Sequence, residues 1–199
     1  RRGPWVILAA VFTGNAGVFC WWSYVSPWLQ KTGGWPSSLV PLMMMLAGFG
    51  MVVGGLVGGH ITDRWRHAGT AALGQMISCI GLLMVLLLPG NQGTSALLTF
   101  WIAFGLFFIS APQQLLMTEA GQGGGELIAG AAVQVAFNFG NAIGSIVGGA
   151  MLGAFSMDYR FTGLGGVPLA LLAVALLAFY SWRCETNTDA AHRMHEIQA

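Results

Sequence analysis

Apolar residues run along this chain in long blocks separated by short polar connectors. Charged side chains fall only in those connectors and at the two termini, which leaves residues 3–30, 32–62, 67–118, 127–157 and 161–182 free of formal charge. About 20 mostly apolar residues suffice to cross a hydrocarbon core, so four of these blocks hold one span each. The third block is interrupted by Pro89-Gly90-Asn91-Gln92-Gly93, a turn sequence, and holds two. The pattern predicts six helices, over residues 5–29, 38–62, 69–88, 95–118, 127–153 and 163–183. Membrane strands need only about 9–11 residues of alternating pattern, so the lengths argue for helices. Pro4 suits a first helical turn, and Pro36 and Pro89 mark turns. Pro27, Pro41, Pro112 and Pro168 fall within or near spans, where membrane helices tolerate them.

Composition agrees with an all-α membrane protein. Hydrophobic residues make up 55% of the chain, charged residues 8%, and the mean hydropathy is +0.69. Soluble domains carry about 25% charged residues, so the expected surroundings are a lipid bilayer. A net charge of +1 with no basic stripe gives no footing for nucleic acid. Cys20 and Cys79 lie in spans and Cys184 beside the last, a spacing that suggests buried thiols rather than a disulfide framework. The chain begins Arg1-Arg2-Gly3-Pro4, without an initiator Met or a signal-peptide pattern, and is expected to lack an N-terminal portion.

Six spans place both termini on one side. That side receives Arg1, Arg2, Arg64, Arg66, Arg183 and Arg193, and the other receives Lys31 and Arg160, which predicts cytoplasmic termini. Trp5, Trp65 and Trp182 are then expected at the inner interface, and Trp28, Trp35 and Tyr159 at the outer one.

Gly55-Leu56-Val57-Gly58-Gly59 in the second span is similar to Ser145-Ile146-Val147-Gly148-Gly149 in the fifth. Three spans per repeat is an odd number, so the second copy lies inverted: a 3+3 arrangement, as in one half of a transporter. Two segments carry a family resemblance. Gly58-Gly59-His60-Ile61-Thr62-Asp63-Arg64-Trp65-Arg66 resembles the second copy of the loop signature of the major facilitator superfamily, although the Gly and paired basic residues that usually follow are replaced by Trp65, Arg66, His67 and Ala68. Ala131 to Gly144, with Gly123-Gly124-Gly125-Glu126-Leu127 and Ala111-Pro112-Gln113-Gln114-Leu115 before it, resembles the arabinose efflux permease group of the drug/proton antiporter branch. The resemblance implies the C-terminal six-helix bundle of a twelve-helix fold (residues 1–183) with a cytoplasmic tail (184–199). It also implies a gating role for Gly59, Asp63, Arg64 and Arg66, and partnership with an N-terminal six-helix half.

Function must be read from what stays polar inside the spans. Gln134, Asn138, Asn141 and Ser145 are spaced four, three and four, which aligns them on one helical face. Uncompensated amides in hydrocarbon cost several kcal/mol. The face is expected either to bond neighbouring helices or to line a cavity. Asn15, Trp22, Tyr24 and Gln113 join Gln134, Asn138 and Asn141 as candidate substrate-binding residues, because the resembled fold lines its cavity with spans one and four. The glycine rows Gly50, Gly54, Gly58 and Gly140, Gly144, Gly148 are read as close-packing surfaces, extended to a gliding surface between halves.

No Asp, Glu, Lys or Arg lies at membrane depth, so a proton-coupled cycle needs its titrating group in the other half. His60 is read as an interface residue. The spans hold no Ser–His pair or Asp pair and the chain no metal-ligand cluster, so neither enzyme activity nor a cofactor is expected. The expectation is half of a secondary transporter exporting a sugar or drug-like solute from the bacterial cytoplasm across the inner membrane. The alternative is a six-span scaffold or a channel-forming homo-oligomer.

Overall fold

Every expected span is helical, and the polar connectors stay short. The computed structural model of the protein describes residues 3–122 and 125–185. Arg1, Arg2, Gly123, Gly124 and the tail beyond residue 185, with Arg193, lie outside the described residues. The first span is α1 (Gly3–Trp22) followed by α2 (Val25–Lys31), and a 3-10 turn at Ser37–Leu39 leads into α3 (Val40–Thr62). Then come α4 (His67–Leu87), a fourth span made of α5 (Gln92–Phe108) and α6 (Ser110–Ala120), and α7 (Glu126–Ala154). A second 3-10 turn, Tyr159–Phe161, precedes α8 (Thr162–Tyr180), and the wider helical turn Ser181–Glu185 ends the described chain. Six segments are long and apolar enough to cross a membrane: Gly3–Lys31, Ser37–Thr62, His67–Leu87, Gln92–Ala120, Leu127–Ala154 and Tyr159–Arg183. All six begin and end within four residues of the predicted spans.

Two spans differ from the continuous helices expected. The first breaks at Ser23–Tyr24 and the fourth at Ile109. Each break lies next to the carbonyl that a proline deprives of its donor, since Pro27 cannot bond to Ser23 and Pro112 cannot bond to Phe108. Pro41 sits in the first turn of α3, where a missing N–H costs nothing. Pro168 is carried inside α8 without a break.

The glycine rows explain how the repeat closes. A Cβ on Gly50 would stand 2.7 Å from the Phe100 carbonyl oxygen, and those on Gly54 and Gly58 would strike the carbonyls of Phe104 and Phe108. In the other triplet, a Cβ on Gly140 would stand 2.6 Å from the Phe12 carbonyl, while Gly144 and Gly148 meet Ala16 and Cys20. Thus α3 lies on α5, and α7 lies on α1, in the same residue-by-residue register. In each seam the second span of one triplet packs on the first span of the other, which is the pairing an inverted repeat demands. Both rows therefore point into the bundle. The gliding surface between halves expected of them is corrected on this point, because any side chain there would meet backbone within the same half.

Two apolar clusters fill the bundle. One, around Trp21, Trp28, Leu82, Leu98 and Ile102, lies toward the end that carries Lys31 and Asp158. The other, around Ile7, Val11, Ala71, Leu116 and Leu177, lies toward the end that carries Asp63 and Glu119. Between them along the helices lie the buried polar side chains Asn15, Gln75, Ser78 and Gln113. The exposed Trp5, Trp65 and Trp182 suit an interfacial belt at the Asp63 end. Trp28 and Tyr159 do not form the matching belt: both are buried, and Trp28 packs edge-on against Trp21 at 5.0 Å.

Candidate functional site: a polar face on α6 and α7

Helix α7 has three faces. At roughly 100° per residue, the glycine seam faces α1. Gln134 and Asn138 stand exposed on a second face. Phe139 and Ile146, about 100° further round from Asn138 and Ser145 respectively, are exposed and apolar. Only 22% of this span's apolar window is buried, and 28% of that of α3, against 61% for the first span. The two helices that supply the glycine seams thus present most surface to the outside.

The amide stripe does not stay exposed along its length. Toward the Lys31 end it passes under the break of the first span. Ser145 donates its hydroxyl to the Asn141 carbonyl (2.8 Å), which leaves Ser23 to donate to Ser145 Oγ (2.6 Å). Tyr24 donates its phenol to the Ser145 carbonyl (2.8 Å). Its ring lies where a Cβ on Gly148 or Gly149 would come within 2.9 Å and 2.7 Å. Asn141 is half-buried, with its amide oxygen unpartnered. Tyr24, Asn141 and Ser145 are therefore brought together as a tie between α1 and α7.

Helix α6 packs against both α7 and α3 and carries a second polar row. Ser110, Gln114 and Thr118, each four residues apart, line a groove of about 490 Å3 whose other wall includes Gly55 of α3. The lack of a Cβ at Gly55 keeps that wall shallow, and a Cβ built there meets open space. The Gln114 backbone carbonyl accepts from Thr118 Oγ1 (2.9 Å), and the Gln114 side chain stands exposed. The i, i+4, i+8 spacing of these three residues was the signal in the sequence that could have singled them out.

The remaining candidates separate from these two rows. Gln113, one residue from Gln114, points inward; it is 3% exposed and its amide nitrogen lacks a partner. Asn15 is fully buried and donates to the Val11 carbonyl (2.9 Å) beside Gly140. Trp22 is half-buried and packs edge-on to Trp21 at 5.9 Å.

At the end of α3, Gly59 has open space above its Cα, and Asp63, Arg64 and His60 are exposed. No ion pair joins Asp63 or Arg64 to a described residue. Among the described residues at this end, His67 Nδ1 and Glu119 Oε1 stand 2.9 Å apart, which links the start of α4 to the end of α6. Arg66, just before His67, is half-buried.

No family model matches the chain. Among curated proteins it is 38% identical over 177 residues to the putative transporter AraJ of Escherichia coli, a match covering 89% of this chain and 44% of that protein. It is 29% identical over 186 residues to the inner membrane transport protein YdhP of Escherichia coli, covering 92% and 46%. It is 27% identical over 177 residues to the uncharacterized MFS-type transporter YbcL of Bacillus subtilis, covering 87% and 44%. The chain thus spans about half the length of the curated relatives it matches. Their names are those of transporters and not of enzymes, and they do not favour the scaffold reading.

Proposed function

The chain corresponds in sequence and helix count to half of a major facilitator superfamily transporter resembling the AraJ branch, and on that premise we propose that it is the C-terminal half of an exporter of small organic solutes. The whole protein sits in the bacterial inner membrane with the Asp63 end in the cytoplasm. The observation that carries this reading is the exposed polar surface of α6 and α7. Gln134, Asn138, Gln114 and Thr118 are exposed and Ser110 is half-buried, on two helices in contact with each other. Left against lipid, each amide costs several kcal/mol; opposite a second six-span bundle it lines a water-filled chamber.

The chemistry follows from what this face contains. Amides and hydroxyls offer both donors and acceptors and no net charge, so they suit hydroxylated or amphiphilic neutral solutes. With no Asp, Glu, Lys or Arg at membrane depth, this half supplies binding, and the proton-carrying group belongs to the other half. Alternating access proceeds by rocking the two bundles about the chamber. The exposed Asp63 and Arg64, with Arg66, meet the other half at the cytoplasmic side and bias which state is closed.

The test uses the full-length protein in proteoliposomes, with uptake of a labelled pentose and of a lipophilic dye measured with and without a pH gradient. Gradient-driven uptake that falls about tenfold in Gln134→Ala/Asn138→Ala supports the reading. Parental uptake in the double variant, or no gradient-driven uptake of any solute by the parent, contradicts it.

A further inference from the structure

At the end of the bundle opposite Asp63, three connectors close over the helices. Gln92 Nε2 donates to the Gly34 carbonyl (3.1 Å), and Trp35 Nε1 donates to Ser95 Oγ (2.9 Å), which joins the first connector to the start of α5. Gly90 lies so close to the Thr32 carbonyl that no side chain fits between them. The third connector, between α7 and α8, holds Ser156 and Met157 in the left-handed region, with φ of 53° and 64°. Neither is glycine, and such a conformation costs about 1–3 kcal/mol per residue. The strained turn carries Asp158, Tyr159 and Arg160 across to the Lys31 connector.

A polar hollow of about 390 Å3 results, lined by Lys31, Thr32, Gly90 and residues 157–160. Its charges are not all committed. Arg160 donates to both oxygens of Asp158, with Nη2 at 2.9 Å and Nε at 3.2 and 3.3 Å, so those two groups neutralise each other. That pairing also holds the Asp158 carboxyl below the usual carboxylate range, chiefly through the Arg160 side-chain hydrogen bond. Lys31 forms no ion pair with a described residue. Its ammonium stands 5.3 Å from the centre of the buried Tyr159 ring at the edge of the hollow, and no described residue accepts a hydrogen bond from it. The hollow thus has a net charge of +1, a hydroxyl at Thr32 and one positioned cation.

Its rim is apolar. Phe155 and Phe161 stack at 4.4 Å with an 8° interplanar angle, and Met157 is 55% exposed beside them. An aromatic pair and an exposed Met next to a cation, at the ends of membrane-spanning helices, match the height of lipid headgroups rather than bulk water. We propose that this hollow binds a phosphate group at the membrane rim, with Lys31 as its cation and Thr32 as a neutral donor. Two sources share that chemistry: the headgroup of an anionic phospholipid and free inorganic phosphate. The stacked Phe155 and Phe161 and the exposed Met157 have a use only with the first.

The site is independent of transport and is tested without it. Full-length protein purified in detergent is examined by native mass spectrometry after incubation with phosphatidylglycerol, with phosphatidylcholine, or with phosphatidylglycerol plus millimolar inorganic phosphate. The expected result is retention of phosphatidylglycerol over phosphatidylcholine that falls about fivefold in Lys31→Gln. It persists in Lys31→Arg and in Arg183→Gln, a cation lost from the opposite end. Displacement of the lipid by inorganic phosphate identifies free phosphate as a competing occupant, and no displacement identifies the lipid alone. Equal retention by the parent and a folded Lys31→Gln, or an equal loss in Arg183→Gln, overturns the proposal.

Discussion

Two faces of α7 present small or polar residues at the same spacing and do opposite things. The row Gly140, Gly144, Gly148 is buried against the carbonyls of α1, whereas Gln134 and Asn138, about a third of a turn away, face outward. On the first face the absence of a side chain lets two backbones touch. On the second a costly side chain is kept where a close-packed helix could have used Leu. Helical spacing alone does not separate the two uses; what separates them is whether a neighbour's backbone lies within a Cβ of the position.

The largest expected effect breaks the seams. Gly144→Leu and Gly54→Leu push a side chain into a carbonyl and should each destabilise the folded protein by about 3 kcal/mol or more. Gly48→Leu, where a Cβ meets open space, should stay within about 0.5 kcal/mol. Thermal unfolding in detergent measures all three, and a Gly144→Leu protein as stable as Gly48→Leu would remove the distinction between the faces. Next in size is the amide face. Gln134→Ala/Asn138→Ala should cut transport about tenfold while leaving the unfolding midpoint unchanged, the reverse of the seam variants.

A smaller effect probes where the amide stripe dips under the first span. Ser145→Ala should cost about 1 kcal/mol, and a double-mutant cycle with Ser23→Ala should show that the two hydroxyls are coupled. Additive losses would mean that Ser23 and Ser145 do not bond. The smallest concerns the Asp158–Arg160 pair. Because the folded carboxyl titrates below its usual range, the pair contributes above the unfolded value and is lost as pH falls through the folded one. Asp158→Asn should therefore differ from the parent at neutral pH and converge with it in acid, as read from unfolding midpoints across pH.

Much of the fold was legible because hydrocarbon imposes a strict rule: charge is confined to connectors, so blocks without charge define spans. The glycine rows were legible as packing surfaces for a similar reason. Their partner was not, since spacing shows that a face is smooth but not what lies on it. The breaks at Ser23–Tyr24 and Ile109 escaped a span-level reading although Pro27 and Pro112 mark them; Pro168, carried in an unbroken α8, shows why proline alone does not decide.

The site was less legible. Gln113 and Gln114 are chemically identical neighbours, and only the packing of α6 turns the first inward and the second into the groove. Asn15 was polar in a span and fell in the buried layer between two apolar clusters. Trp28, expected at the interface, instead packs on Trp21. In each case the side chain's chemistry was readable and its direction was not, because direction is set by helices distant in sequence.

If Gln134 and Asn138 line a chamber, their face of α7 looks into water while the face one residue further round looks into lipid. Cysteines placed singly at Gln134, Asn138 and Phe139 of the full-length protein in membrane vesicles, with Cys20, Cys79 and Cys184 replaced, test it through reaction with a membrane-impermeant thiol reagent. Labelling is expected at Gln134→Cys and Asn138→Cys, and none at Phe139→Cys. Labelling of Phe139→Cys with protection of the other two would contradict it.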